Sequence, residues 1–185
     1  PERAENNPND GKVDPQGRFW FGTMHASVAQ PTGSLYRFAG GKVTKMDSGF
    51  ACSNGLAWSP DGNTLYFVDM MPGDILAYNR QTDVWSVHFD ASDVALTKPL
   101  ADFVLLDDNS ILLAFNSSVK LRNAANALIT YEAQDVARFV PSSVGPTTTG
   151  HFAVYFDGSD VAQSTSTEKI DALGRRADGA LLIST

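Results

Sequence analysis

Cysteine is almost missing from this sequence. The single thiol in 185 residues, Cys52, excludes an internal disulfide and any cysteine-built zinc cluster. Long hydrophobic runs are missing as well. The longest, such as Phe103–Leu106 and Ile111–Phe115, fall far below the roughly 20 residues that cross a bilayer as a helix, so neither a membrane span nor a membrane partner is expected. Positive charge is scarce: 14 Lys and Arg stand against 21 Asp and Glu, for a net charge of −7. Without a basic cluster to displace counterions from phosphates, nucleic acid is excluded as a partner. No signal-peptide pattern opens the chain. Pro1 is not an initiator, so the start is processed, truncated or otherwise cut, and the compartment stays open with the cytoplasm slightly favoured. What is present suits one ordinary domain over 1–185. With 43% hydrophobic and 19% charged residues the chain can build a core, and disorder is excluded for most of it.

One pattern recurs four times: an apolar stretch, a tight polar turn and a second apolar stretch. The copies read KVDPQGRFWFGT from Lys12, LAWSPDGNTLYFVD from Leu56, FVLLDDNSILLAF from Phe103 and ALGRRADGALLIST from Ala172. Gln-Gly, Asp-Gly and Asp-Asn at their centres supply residues that tolerate positive φ, as hairpin turns require. The turn positions Gly17, Gly62 and Asn109 are 45 and 47 residues apart, and Gly179 follows after 70. A period near 45 with several strands per unit is the signature of a propeller blade. Further strands fit at Ser34–Phe38 with Val43–Met46, Ile75–Tyr78 with Val84–Phe89, and Val136–Val140 with Phe152–Phe156. The expected fold is therefore all-β: a β-propeller of four-stranded antiparallel blades, partial or unclosed, with about four blade units.

A second repeat overlaps the first. FDASDVA at Phe89–Ala95 matches FDGSDVA at Phe156–Ala162. Its aspartates Asp90, Asp93, Asp157 and Asp160 fail the EF-hand template and are read as turn caps, with a repeated surface calcium loop as the alternative. Ser117–Gln134 is expected to be an inserted loop with one helical turn, because Leu121, Ala125, Leu128 and Ile129 have helical spacing. The first ten residues do not look like strands, and the chain stops two strands into its last blade. Open sheet edges invite association, so either this is a fragment or a partner, including a second copy through open blade edges, completes the ring.

Counting back from each turn locates the polar chemistry. Asn9, Asn54 and Asp171 each lie eight residues before the turn residue of their copy, and Asp102 lies seven before Asn109. These residues are expected to start the first strand of each blade. First strands line a propeller's channel, so four oxygen-bearing side chains would converge and suit a hard cation. Calcium is preferred, with magnesium, manganese or zinc as alternatives. Asp102 needs a one-residue bulge to join the set. Each residue alone also reads as an ordinary turn or strand-start cap. Asp10, beside Asn9, is the candidate general base, with a turn cap as its other reading. His25 and Asp69, after the second strands, are expected on the rim of the same mouth. Trp20 and Trp58 are read as blade-to-blade packing.

NDGKVDPQGRFWFGTM from Asn9, followed by GSLYRF and SNGLAWSPDGNTLYFVD, resembles the SMP-30/gluconolactonase/luciferin-regenerating-enzyme (regucalcin-like) family over about residues 7–79. The resemblance implies a six-bladed propeller with a divalent cation in its channel that hydrolyses lactones or, in relatives, phosphoester-type bonds. It implies that Asn54 is a metal ligand, that Asn9 binds the metal, its water or the substrate, and that Asp10 belongs to the substrate site. Asp102 is the nearest candidate for the aspartate that completes the metal set. The family's further glutamate ligand comes from an earlier blade, and none precedes Pro1 here. Residues 1–83 carry the family-like blades and 84–185 divergent blades with the FDxSDV repeats.

The leading expectation is a metal-dependent hydrolase acting on sugar lactones, with the cation as Lewis acid and Asp10 or a metal-bound water supplying the nucleophile. Asn9, Asn54, Asp102 and Asp171 would hold the ion, while Asn9, His25 and Asp69 would meet the substrate. The alternative is a non-catalytic propeller-like binding or assembly module that has lost the full metal site. A third reading is an inactive fragment that keeps the fold alone.

Overall fold

Hairpin turns organise the chain into blades, as the repeat requires. A computed structural model describes residues 2–28, 30–70, 73–161, 163, 168–176 and 178–185. The turn residues Gly17, Gly62, Asn109 and Gly179 all adopt positive φ, at 77°, 68°, 65° and 88°. Blade 1 comprises β1 (Asn6–Val13), β2 (Phe19–His25), β3 (Gly33–Ala39) and β4 (Lys42–Phe50). Blade 2 comprises β5 (Ser53–Trp58), β6 (Thr64–Asp69), β7 (Asp74–Asn79) and β8 (Val84–Phe89). Each is an antiparallel sheet in sequence order. Strand β1 begins at Asn6, so the opening residues do enter the sheet, and Asn9 lies inside the strand rather than at its start.

Blade 3 is built from β9 (Leu100–Leu105), β10 (Ile111–Phe115), β13 (Val136–Ser143) and β14 (Thr149–Phe156). The segment between β10 and β13 is not a loop with a helical turn. It is a hairpin, β11 (Val119–Arg122) and β12 (Leu128–Tyr131), closed at Asn126 with φ 61°. Alternation decides the matter: Val119, Leu121 and Tyr131 are buried while Lys120, Arg122 and Leu128 are exposed, a period of two that the asparagine-rich turn allows to fold back. The last hairpin, β15 (Ala172–Arg175) with β16 (Leu181–Ser184), is the inner half of a fourth blade. Ala162, at the end of the second FDxSDV copy, lies outside the described residues. Both copies form short 3-10 turns in which Asp90 and Asp157 accept from the backbone N–H and hydroxyl of Ser92 and Ser159.

Blades stack through their faces. Trp20 is fully buried against the edge of the Trp58 ring, 5.2 Å between centroids, and with Leu35, Phe50, Leu65, Phe67 and Tyr78 it forms the core between blades 1 and 2. The turn before β2 holds Trp20 in place. Asp14 accepts from the Gln16 and Arg18 backbone N–H groups, from Arg18 Nε at 2.6 Å and from the Trp20 indole at 2.8 Å. Burial pushes the Asp14 carboxyl up, but the Arg18 side chain and these N–H donors outweigh it and hold the group at about 2. Between blades 2 and 3 the core turns more aliphatic, and between blade 3 and the last hairpin it is small, with Ala101, Ala114, Leu112 and Leu173.

The inner strands β1, β5, β9 and β15 are successive neighbours, and the approach of β2 to β5 depends on Gly22. A Cβ there would fall 1.5 Å from Ser53 Oγ and 2.1 Å from Ser53 Cβ. Gly22→Ala should therefore lower stability in chemical denaturation by about 2–4 kcal/mol, the scale of core overpacking. Ser53→Gly in the same chain should recover most of that loss, whereas an unchanged midpoint for Gly22→Ala would contradict this packing.

Candidate functional site at the inner strands

The four inner strands enclose a cavity of about 270 Å³ lined by Asp10, Lys12, Leu56, Asp102, Leu173 and neighbouring backbone. It draws one wall from each blade, and of the four residues expected to converge on the axis only Asp102 lines it; Asn9, Asn54 and Asp171 do not, while Asp10 does. Asp10 and Lys12 reach it together because they are two apart on β1. Lys12 carries no motif of its own, and only its alternation with Asp10 could have marked it.

Ladder register places the candidates. In β1 Asn9 and Asp10 together oppose Gly22, and in β5 Asn54 opposes Val68 with Gly55 bulged out at φ 49°. In β9 the bulge comes one step earlier, at Ala101, and Asp102 opposes Ala114. Gly22, Val68 and Ala114 occupy the same place in their strands, three residues on from Phe19, Leu65 and Ile111. The bulge that Asp102 needed therefore exists, and Asp102 stands where Asn54 stands one blade earlier. In the last hairpin that position belongs to Ala172, paired with Ser184. Asp171 precedes the strand, exposed, with its backbone N–H bonded to Ser184, and it does not line the channel cavity.

Each candidate on the first three blades reaches across to the next. Asn9 Nδ2 donates to the Ser53 carbonyl at 2.7 Å, and Asn54 Nδ2 donates to the Ala101 carbonyl at 2.6 Å. A carboxylate can only accept, so Asp102 turns to a donor instead: its Oδ2 accepts from the Leu173 N–H at 2.8 Å, and its Oδ1 from its neighbour Phe103. The targets of the two asparagines sit one residue before the next blade's candidate. These side chains thus staple the inner strands in sequence. With each Nδ2 committed, the amide oxygens of Asn9 and Asn54 accept no hydrogen bond from another described residue. Gly55 lies under the third staple, since a Cβ there would meet Asp102 Oδ1 at 3.0 Å.

Electrostatics single out Asp102, which is 7% exposed. Burial pushes its carboxyl up to about 6, against the Leu173 and Phe103 N–H groups and the Lys12 charge, which pull it down, while Asp10 adds to the rise. The rim is soft and amide-rich. Met70 Sδ accepts from Asn54 Nδ2 and, at 3.1 Å, from Asn116 Nδ2, while Cys52 Sγ lies 3.3 Å from Met24 Sδ and near Asn9. Burial, with the Asp69 charge, pushes the Cys52 thiol up to about 11, so it stays protonated and unreactive. Asn116 and the sulfurs carry no spacing signal.

His25 and Asp69 do end the second strands, as expected. Both carboxylate oxygens of Asp69 accept from the backbone N–H groups of Ala51 and Cys52, shaping the entry to β5. The His25 ring meets the Ser27 hydroxyl at 2.9 Å. Among the described residues no three His, Cys, Asp or Glu side chains gather closely enough to hold a metal ion. The cavity itself offers the carboxylates of Asp102 and Asp10, and Asn9 and Asn54 add amide oxygens on the same inner strands outside its lining, oxygen donors of the kind a hard cation takes.

The family model for the SMP-30/Gluconolactonase/LRE-like region matches residues 1–112, beyond the motifs that end near Asn79 and into β10. Over 109 residues the chain is 38% identical to a Rhizobium meliloti protein provisionally named a sugar lactone lactonase, covering 59% of this chain and 33% of that one. It is 40% identical over 89 residues to regucalcin of Xenopus laevis, covering 44% of this chain and 30% of the relative. The chain thus spans about a third of the length of these curated relatives. Among solved structures, the calcium-binding protein regucalcin from Agrobacterium tumefaciens superposes with a TM-score of 0.56 at 23% identity over 82% of this chain and 62% of that one. A luciferin-regenerating enzyme superposes equally well, at 0.56 and 22% identity over 80% of this chain and 60% of that one. Both likenesses reach past the family-model match, so the divergent third blade shares the regucalcin-type propeller fold.

Asn54→Asp separates stapling from any other role of this residue. The new carboxylate cannot donate and would face the Ala101 carbonyl, so without added cation it should destabilise more than Asn54→Ala, which itself should cost about 1–3 kcal/mol. Thermal or urea melts of the two variants provide the measurement; equal midpoints would remove the staple.

Proposed function

This chain belongs to the SMP-30/Gluconolactonase/LRE-like family, and on that premise we propose that its inner strands form the channel of a sugar-lactone hydrolase that takes a divalent cation, calcium before zinc, magnesium or manganese. The observation that supports this most is the anchoring of the asparagines. With Nδ2 of Asn9 and Asn54 fixed to the next blade, each amide oxygen is preset as the free acceptor, and preset oxygens cost little reorganisation on binding. Asn9, Asn54 and Asp102 would hold the ion. The raised pKa of Asp102 is what an under-compensated buried carboxylate shows, and a cation would relieve it by displacing the proton.

When bound, the cation supplies Lewis-acid polarisation of a lactone carbonyl. The chain's own groups do the rest. Asp10 faces the cavity with one carboxylate oxygen accepting from the Gly11 N–H at 2.7 Å, which orients it to take a proton from an attacking water. Lys12 shares the cavity with both aspartates and supplies a positive charge for the carboxylate product. His25 and Asp69, at the ends of β2 and β6, would shape the rim that admits substrate. We treat 1–185 as one domain, with 1–83 and 84–185 its family-like and divergent halves. Hydrolysis of glucono-1,5-lactone, followed by pH-stat with calcium and then with chelator, tests this reading. Activity should fall at least about tenfold with chelator and in Asn54→Ala, and activity indifferent to both would remove the proposal.

A second reading, an assembly module, draws on one face of blade 1. By strand pairing, Phe19, Phe21, Tyr36, Phe38 and Val43 correspond to Leu65, Phe67, Leu76, Tyr78 and Trp85 of blade 2. Blade 1 covers the latter group. Of the former, Phe21, Tyr36 and Val43 line a groove of about 700 Å³, and Phe19, Phe38 and Val43 are exposed. Such an aromatic sheet face is a surface for association. Sedimentation of the full chain should show self-association that Phe21→Asp abolishes, and a clean monomer would count against the assembly module.

A further inference from the structure

A second cavity, of about 310 Å³, lies between blades 2 and 3 at the turn end of β5 and β9, the opposite end of these strands from Asn54. Trp58, Tyr66 and His88 line it with Leu105, Asp107 and Asn109. Strand register shows how unusual these residues are. Tyr66 occupies the position of Trp20, each following the residue, Leu65 or Phe19, that pairs with the last residue of its blade's inner strand. His88 occupies that of Met46, each the extra residue of a bulge in its blade's outermost strand. In blade 1 both positions are spent on the hydrophobic core. In blade 2 they present a hydroxyl and an imidazole to an open space.

Among the described residues, the polar heads of Trp58, Tyr66 and His88 find no hydrogen-bond partner. The Trp58 indole N–H is buried without a hydrogen-bond partner, whereas Trp20 donates to Asp14 and Trp85 to Asp47. The Tyr66 and His88 rings meet edge-on with centroids 4.8 Å apart, and neither the Tyr66 hydroxyl nor the His88 ring is hydrogen-bonded to another described residue. Aromatic groups with polar tips ordinarily find partners when buried, so an unsatisfied cluster beside a cavity marks a place where an outside molecule supplies them. Burial pushes the His88 imidazole below its ordinary value, so at neutral pH it offers one donor and one acceptor.

The lining also narrows what fits. No described lining residue is a Lys or Arg, which disfavours an anion. The one carboxylate, Asp107, is already paired with Arg175 at 2.9 Å, which disfavours a cation. A volume at the lower edge of ordinary ligand pockets suits a single ring. Aromatic and leucine walls would take the apolar face of that ring, while hydroxyl, imidazole, amide and carboxylate groups would meet polar groups around its edge. We propose that this inter-blade cavity is a binding site for one ring of a neutral sugar, separate from the channel.

The probe is methyl β-D-glucopyranoside, which has no lactone carbonyl and is not a substrate for the channel chemistry. The full chain, labelled with 15N, is titrated and the Trp58 indole resonance, assigned with Trp58→Phe, is followed. It should shift saturably at millimolar sugar. Tyr66→Phe, which removes one oxygen, should weaken binding about five- to tenfold, and His88→Met, which restores the blade 1 residue, should abolish it. Asn54→Ala should leave it unchanged. The absence of a saturable shift up to about 0.1 M, well above a millimolar Kd, would overturn the proposal, as would binding indifferent to Tyr66→Phe. Loss of binding in Asn54→Ala would overturn it too, by moving the sugar into the channel, whereas a lactone assay that fails while the shift persists would sink only the hydrolase reading.

Discussion

The hydrogen bond from an inner-strand side chain to the backbone of the next blade is the contact on which the remaining geometry depends. Within a blade the strands are paired in ladders, but between blades the described residues show only isolated backbone bridges, Met24 with Cys52 and Phe89 with Gly145, and side-chain packing by itself leaves neighbouring sheets free to slide. Asn9 on Ser53, Asn54 on Ala101 and Asp102 on Leu173 remove that freedom at the axis. They also decide which atoms remain to face a ligand. An amide that spends its N–H₂ on a carbonyl keeps its oxygen, and a carboxylate that accepts an N–H keeps a lone pair on each oxygen. These side chains thus bond across to the next blade instead of capping the turns that each residue alone suggests.

Packing between blades grades along the chain. The first interface is aromatic, the second mixes phenylalanines with aliphatic residues, and the third rests on alanines and leucines against a two-stranded hairpin. Apolar area removed from water scales with side-chain size, so the third interface, rich in alanine, gains least per residue. The same gradient follows the family match, which covers the first two blades and ends within β10.

Much of the architecture was legible because turn chemistry and alternation are local. Asp-Gly and Asp-Asn pairs fixed the hairpins, and the 45-residue period fixed the blades. The inserted hairpin was misread because asparagines mask a two-residue period and four apolar residues happened to fall at helical intervals. Asn9, Asn54 and Asp102 stand out by spacing and fall on successive inner strands, each bonded to the next blade, but of the three only Asp102 lines the cavity. What spacing could not carry was who bonds to whom. The capture of Asp69 by the Ala51 and Cys52 N–H groups, the sharing of Met70 by Asn54 and Asn116, and the arrival of Lys12 in the cavity depend on contacts between blades, which no short window contains. Asp171 shows the converse: equal spacing from the turn left it outside, because the channel wall is set by pairing and not by count.

The irregular innermost strands carry an evolutionary consequence. Gly55 and Ala101 absorb one residue each, at different steps along their strands. A single-codon insertion or deletion there need not rotate the following side chains away from the axis, since the surplus residue is looped out locally. Descendant chains can therefore drift in motif length while preserving what faces the pore. An alignment anchored on the hairpin tips would then equate Asn54 with Ala101 and miss that Asp102 holds the equivalent place in the ladder.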